Sequence, residues 1–189
     1  MTKDDFESLV GRFIGQTIAE VLYFDFGIPD IEEPWGQPWG GGSPISGRIG
    51  DGAELRMMSG DVFWVTYGSE FFHYGVSLQF NPDELHWRQE DHYVSVDVSD
   101  ATCWSSTVGH AITDAEVFWS EIVNESGEGS RIEYPQDVGL KFESESRLYF
   151  SALEFMSDGT LSYFADEIQV FCSEEELRKC AIGPYGTSS

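Results

Sequence analysis

Basic residues are scarce in this sequence: 10 Lys and Arg stand against 34 Asp and Glu in 189 residues, for a net charge of −24 at pH 7. Residues 1–94 carry 16 acidic and 5 basic side chains, and residues 95–189 carry 18 and 5, so the acidity does not come from a tail. Such a charge repels phosphate backbones and anionic lipid, so we expect neither direct nucleic-acid binding nor membrane-surface binding. It attracts and steers a basic partner. Solubility alone remains the plainer explanation.

Cysteine and long apolar runs are also scarce. Cys103, Cys172 and Cys180 are an odd number at wide spacings, which is typical of neither a disulfide framework nor a zinc knuckle. We expect Cys172 and Cys180 to be packed in the core, and Cys103 to be the one accessible thiol. No stretch is long enough to span a bilayer, and the first ten residues lack the apolar run of a signal peptide. These features predict a soluble, cytoplasmic protein.

Motifs of catalysis are missing as well: there is no Gly-rich phosphate loop, no Gly-x-Ser-x-Gly elbow and no His-Glu-x-x-His. His86, Asp91 and His92 are spaced so that they could meet a metal ion, which keeps a metal-dependent enzyme open as an alternative. A solvated loop is the preferred interpretation of that segment. His73 lies among aromatic residues and His110 follows a glycine, so both are expected to be structural. We therefore predict no enzymatic activity, no catalytic residue, no metal ligand and no cofactor.

Apolar residues are abundant and periodic, and 41% of the chain is hydrophobic. Apolar side chains at i, i+3, i+4 and i+7 in residues 4–13 predict a helix, with Asp4 or Asp5 as its cap. Further short helices are expected over residues 101–108 and 174–181. Alternating and β-branched segments predict strands over residues 18–26, 53–58, 62–67, 74–80, 93–98, 115–122, 138–142, 147–155, 161–164 and 167–172. The pattern predicts an α+β fold, mainly antiparallel sheet with few short helices.

Two halves of the chain resemble each other. Short matches recur at offsets of 94 and 92: Gly15, Ile18 and Phe24 with Gly109, Ile112 and Phe118, and Val76, Leu78, Glu84 and Leu85 with Ile168, Val170, Glu176 and Leu177. They predict a two-fold internal repeat, with residues 1–94 as the first α+β repeat and 95–189 as the second, as two units or one merged domain. The shared Gly-x-x-Ile is expected to be structural, a glycine that caps a helix before a buried strand.

A Gly-, Pro- and Trp-rich insertion occupies residues 29–52 of the first repeat and is predicted to be irregular. Tryptophan in a polar loop exposes apolar area unless it covers the core or meets a partner. The second of these alternatives predicts an aromatic anchor surrounded by acidic residues, and the partner-binding residues would be Asp30, Glu32, Glu33, Trp35 and Trp39. The same tryptophans keep open a module that binds carbohydrate or another small ligand by stacking on the indoles.

The second half also carries an ordered set of motifs. It runs through Trp104, Val108–Ile112, Glu116–Trp119, Tyr134–Phe142, Leu148–Ala152 and Asp166–Phe171. This order resembles small bacterial immunity-type proteins, which are encoded beside polymorphic or contact-dependent toxins. The resemblance implies a cytoplasmic protein that binds and inhibits a cognate toxin domain, such as a basic nuclease, and it carries no catalytic residues. The insertion at 29–52 is not part of the matching pattern, and the oligomeric state is left open.

Overall fold

A computed structural model describes residues 1–26, 48–50, 52–68, 70–71, 75–82, 93–101, 103–123, 131–155, 161–162 and 167–186. These residues contain two α-helices, α1 (Lys3–Gly11) and α2 (Glu174–Lys179), and a 3₁₀ helix at Gly183–Tyr185. Their strands are β1 (Ile18–Phe26), β2 (Arg48–Gly50), β3 (Gly52–Met57), β4 (Val62–Gly68), β5 (Gly75–Phe80), β6 (Tyr93–Asp97), β7 (Ile112–Val123), β8 (Arg131–Phe142), β9 (Arg147–Ala152), β10 (Glu154–Phe155), β11 (Leu161–Ser162) and β12 (Ile168–Phe171).

The strands form one ten-stranded sheet in the order β5-β4-β3-β1-β2-β12-β9-β8-β7, with β6 also paired to β1. The pairs are antiparallel except for one parallel contact between β1 and β2, Phe24 with Gly50. The predicted α+β class, mainly antiparallel with few short helices, is therefore confirmed. The β10–β11 pair is separate from the sheet.

Helix α1 begins at Lys3, and its N-cap lies two residues before Asp4, the first of the two acids predicted to cap it. Thr2 is the N-cap: its hydroxyl accepts from the Asp5 N–H at 3.2 Å, and the Asp5 carboxylate accepts from the Thr2 N–H at 3.0 Å. The prediction that Asp4 or Asp5 caps the helix is wrong, because Asp5 occupies the third helical position of a capping box. The helix buries Phe6 and Val10 against the sheet.

The helix expected at residues 101–108 is not formed, and residues 103–109 make successive turns. Within these turns the Trp104 carbonyl accepts from the Thr107 hydroxyl at 3.0 Å as well as from the Thr107 and Val108 N–H groups at 2.9 and 2.8 Å. The Trp104 indole is fully buried and donates to the Tyr23 hydroxyl at 2.6 Å. The end of the insertion is also more regular than expected, because residues 48–50 form β2.

Side chains from both halves of the chain meet in one core. The largest cluster of buried residues includes Phe13, Ile18 and Phe63 from the first half together with Ile112 and Phe150 from the second. Phe13 stacks on Phe63 with ring centroids 3.9 Å apart. The division into repeats at residue 94 stays a prediction, but the core is continuous across that position.

Backbone groups of the two Gly-x-x-Ile motifs bond to each other reciprocally. The Gly15 N–H donates to the Ile112 carbonyl at 2.8 Å, and the Gly109 N–H donates to the Ile18 carbonyl at 2.9 Å. Both glycines have positive φ, +84° and +83°, which residues with a Cβ rarely adopt. The motif is thus structural, although Gly15 is not a helix cap, because α1 ends at Gly11 with Arg12 as its C-cap.

Two of the three cysteines form a disulfide, Cys103 with Cys172, at a sequence separation of 69. The expectation of no disulfide was based on the odd cysteine count, and it is wrong because the third residue, Cys180, is a buried free thiol. Cys103 is 1% exposed and so is not the accessible thiol that the sequence suggested. The bond joins the turn before β7 to the end of β12.

Candidate functional site: an open edge strand beside a mixed-charge cleft

Strand β7 is the last strand of the sheet and pairs with β8 over most of its 12 residues. In the described residues no strand pairs with its other edge, where the Ile112 carbonyl accepts from the Gly15 N–H and the Ile112 N–H donates to the Gln16 carbonyl. Two β-bulges, at Ile112/Asp114 and at Phe118/Trp119, delimit a regular segment of the strand. An open edge presents unpaired peptide groups, which makes this segment a template for pairing with another chain.

Side chains of that regular segment alternate between the core and solvent. Ala115 and Val117 pack against the main core, whereas Asp114 and Glu116 are exposed. Within the described part of the chain neither of these two acids forms an ion pair. The edge is therefore apolar towards the core and anionic towards solvent.

A cleft of about 110 Å³ lies on the outer face beside this edge. It is lined by Asp114, Ala115, Glu116, Phe118, Gly139, Leu140, Lys141, Arg147 and Tyr149. The acids come from β7 and the cations from β8 and β9, so charge changes sign across the cleft. Lys141 pairs with Glu145 at 2.9 Å. A hydrogen bond with Tyr149 is the main reason that the pKa of Arg147 is raised.

The floor of the cleft is aromatic and is closely packed. Phe118 and Tyr149 have ring centroids 6.0 Å apart. The Tyr149 ring lies against Gly139, where an added Cβ would come within 2.7 Å of Cε1. Glycine at this position lets the ring approach the backbone of β8. Gly183 lies against the same ring, so the segment after α2 covers part of this face.

The segment after α2 is held to α2 by a small polar cluster. Glu174 accepts from the Tyr185 hydroxyl at 2.5 Å and from Arg178 at 2.7 Å, and Arg178 stacks on the Tyr185 ring at 4.4 Å. The Tyr185 hydrogen bond, followed by the Arg178 bond and charge, holds the pKa of Glu174 below its usual range.

A buried carboxylate lies beneath this segment. Asp137 is 3% exposed and accepts from the Ser151 hydroxyl and, at 2.8 Å, from the Gly183 N–H. Burial raises the pKa of Asp137 to about 6, although both hydrogen bonds act in the opposite direction. Asp137 therefore ties the segment after α2 to β8 and β9.

Trp119, beyond the second bulge of β7, fixes α1 against the sheet. Its ring contacts Phe6 and Phe71 edge-on, with centroids 5.9 and 5.1 Å away. Its indole N–H donates to Glu7 at 2.9 Å, and the Lys3 ammonium lies 4.7 Å from the ring centre. The indole is only half-buried, so an aromatic surface stands next to the open edge.

The partner-binding residues proposed from the sequence stay a prediction. Asp30, Glu32, Glu33, Trp35 and Trp39 lie outside the described residues, as do His73, His86, Asp91 and His92. Of the histidines, the described part contains His110, whose Nδ1 is 3.6 Å from Glu143. No three His, Cys, Asp or Glu side chains in the described chain come together as a metal site.

Sequence reasoning placed residues 115–122 on a strand but did not single out Asp114 and Glu116. Their alternation with Ala115 and Val117 was visible in the sequence. What the sequence did not disclose is that this strand ends the sheet, because strand order depends on pairing between distant segments.

No protein-family model, curated protein or solved structure matches this chain. Neither α-helix among the described residues has the length and apolar character needed to cross a bilayer.

Proposed function

We propose that this protein is an inhibitory binding protein for a basic protein partner, of the immunity type that its second half resembles. The observation that supports this most directly is the edge of β7, where the exposed acids Asp114 and Glu116 stand beside backbone that no strand of the described chain pairs with. A net charge of −24 attracts a basic surface from a distance, and the edge supplies a defined place for it to dock.

The partner class follows from the charge. A toxin or enzyme domain that acts on nucleic acid needs a basic surface for its substrate. An acidic protein that docks on that surface excludes the substrate and so inhibits without any chemistry of its own. Acids at the rim accelerate association, whereas buried apolar and aromatic contacts slow dissociation.

The test is a titration of the product of the neighbouring gene with this protein. We expect co-elution at low salt, loss of the partner's activity at one equivalent, and slower association as salt screens the charges. The double variant Asp114→Asn/Glu116→Gln should associate more slowly than Asp100→Asn/Glu175→Gln, which removes the same charge elsewhere. A neighbouring product whose activity is unchanged, with no basic partner in the native host, would count against the proposal.

A cytoplasmic location belongs to the same proposal, and one observation opposes it. Disulfides such as Cys103–Cys172 persist in oxidising compartments and are rare in a reducing cytoplasm. Alkylating the protein inside its native host and then counting the modified cysteines distinguishes a reducing cytoplasm from an oxidising compartment. Three alkylated cysteines support the cytoplasm, whereas one supports an oxidising compartment.

A further inference from the structure

Strands β1 and β7 occupy equivalent places in the two halves of the sheet. Each strand follows a glycine with positive φ and begins with an isoleucine. Each has a β-bulge directly after that isoleucine, at Ile18/Glu20 in β1 and at Ile112/Asp114 in β7. Each then pairs with the next long strand in the same register, as Glu20 with Arg56 and Asp114 with Lys141. On the outer face, the aromatic pair Phe24–Trp64 corresponds to Phe118–Tyr149.

The two strands differ at their second edge. On β1 this edge is covered by β6, an antiparallel strand of five residues, with Tyr23 opposite Val96. Val21 extends the pairing, since its N–H donates to the Ser99 hydroxyl at 2.9 Å and its carbonyl accepts from the Val98 N–H at 3.0 Å. The equivalent edge on β7 has no such strand among the described residues.

The chain therefore contains a template for what would cover β7. By the same offset of 94, Val21 and Tyr23 of β1 correspond to Ala115 and Val117 of β7. Because Val21 and Tyr23 direct their peptide groups towards β6, Ala115 and Val117 direct theirs towards the open edge. Among the described residues, the Ala115 N–H has one hydrogen bond, to the carboxylate of its own neighbour Asp114 at 3.0 Å.

We propose that a strand of the basic partner adds to β7 in antiparallel orientation, in the place that β6 takes on β1. This mode of docking rests on the proposed function, since it specifies how that partner binds. Pairing runs along Ala115 to Val117, between the two bulges. Addition of a strand to an exposed sheet edge gives affinity through the backbone and specificity through alternate side chains.

The side chains of β6 indicate which sequence the partner strand carries. Val96 of β6 and Val98 just after it pack against the core, whereas Ser95 and Asp97 are exposed. On β7 the inward positions adjoin Ala115 and Val117, so they take valine or isoleucine. The outward positions adjoin Asp114 and Glu116, so they take lysine or arginine, because opposite charges across a strand pair stabilise it. The partner segment thus alternates apolar and basic residues.

A second copy of this protein is disfavoured at the same edge. Two β7 strands paired antiparallel would bring the acids of one chain next to those of the other, and like charges directly opposite destabilise a strand pair. The acids and the two bulges protect the edge against self-association. A basic strand meets no such repulsion, so the charge selects it.

The experiment uses short peptides of alternating lysine and valine, titrated into the intact protein. The unmodified peptide should bind with slowed hydrogen exchange at Ala115 and Val117. A peptide with N-methylated valines, which keeps the charge but loses backbone donors, should bind at least roughly tenfold more weakly, as should a glutamate–valine peptide. In the protein, Glu116→Lys should weaken binding by roughly tenfold. Asp100→Lys, with the same net charge, should leave it unchanged.

The outcomes separate this inference from the proposed function. Equal binding of the N-methylated peptide, or equal effects of the two lysine variants, means that only bulk charge is involved and overturns strand addition. A dimer of the protein alone that the peptide dissociates assigns the edge to a second copy and also overturns it. Partner inhibition that survives Glu116→Lys overturns strand addition while the proposed function stands. Peptide binding in the expected mode, when no basic partner is found in the native host, supports the edge site and overturns the proposed function.

Discussion

Replacing Asp137 with Asn tests the effect of a buried carboxylate on stability. Asp137 is buried between β8, β9 and the segment after α2, and it accepts from two neutral donors, the Ser151 hydroxyl and the Gly183 N–H. Asparagine has nearly the same shape. Its carbonyl oxygen can accept from Gly183 while its amide donates to the Ser151 oxygen, so the variant keeps both contacts without a charge.

The magnitude follows from the pKa of Asp137, which burial raises from its ordinary 3.8 to about 6. At about 1.4 kcal/mol per pKa unit, ionisation in the folded state costs about 3 kcal/mol. Because the folded pKa of this acid lies above the unfolded one, its stabilising contribution is full below pH 3.8 and is lost as pH rises through about 6. About half of the loss, on the order of 1–2 kcal/mol, falls between pH 5 and pH 7.5.

Urea unfolding of wild type and Asp137→Asn at those two pH values measures the effect. The difference between the two proteins cancels the repulsion among the other acids, which both share. We expect the free energy of unfolding of the variant to rise relative to wild type by roughly 1–2 kcal/mol from pH 5 to pH 7.5. Asp100→Asn, an exposed control, should run parallel to wild type. A difference between Asp137→Asn and wild type that is the same at both pH values would refute the reasoning.

Three other predictions concern single contacts. Unfolded protein should show one thiol before reduction and three after it, and three thiols before reduction would contradict the disulfide. Cys103→Ser should lower the free energy of unfolding in urea by about 4 kcal/mol, because the Cys103–Cys172 disulfide closes a long loop. Gly139→Ala should destabilise the protein by about 1–3 kcal/mol, because the added methyl group meets the Tyr149 ring. Gly11→Ala is the control: its methyl group meets open space, so the variant should be more stable by up to about 1 kcal/mol. Equal effects of the two substitutions would refute the packing argument. Trp119→Phe should cost about 1 kcal/mol for its lost indole hydrogen bond, and an unchanged unfolding midpoint would show that this bond contributes nothing.

Local patterns predicted most strands within a residue or two. β1 was expected at residues 18–26 and is found there, and β4, β5, β6 and β12 differ from their predicted bounds by at most a residue or so. These strands alternate or are apolar throughout, and a half-buried or fully buried strand requires such patterns. Strand β8 was predicted only from residue 138 because Tyr134-Pro135-Gln136-Asp137 lacks such a pattern. The pairing with β7 extends it back to Arg131.

Contacts between distant segments explain what local patterns missed. The turns at residues 103–109 are set by Trp104, whose indole reaches Tyr23 across the core, and by the bond from Cys103 to Cys172. Neither partner is visible in the local sequence. Asp137 is a further example, because nothing in its neighbourhood indicates that a carboxylate would be buried under the segment after α2.

The candidate site also depends on contacts between distant segments, and it is the place where the two halves of the chain differ. A repeated strand has the same local sequence requirements whether or not another strand lies beside it, so the pattern of β7 could not reveal that its edge is open. On β1 the equivalent edge is covered by β6, where Val96 packs against the core and Ser95 and Asp97 are exposed. On β7 the same edge is left to Asp114 and Glu116. Under the proposed mode of docking, an acidic chain whose described residues leave the β7 edge open rejects its own copies there and accepts a basic strand, which gives the net charge of −24 a specific place to act.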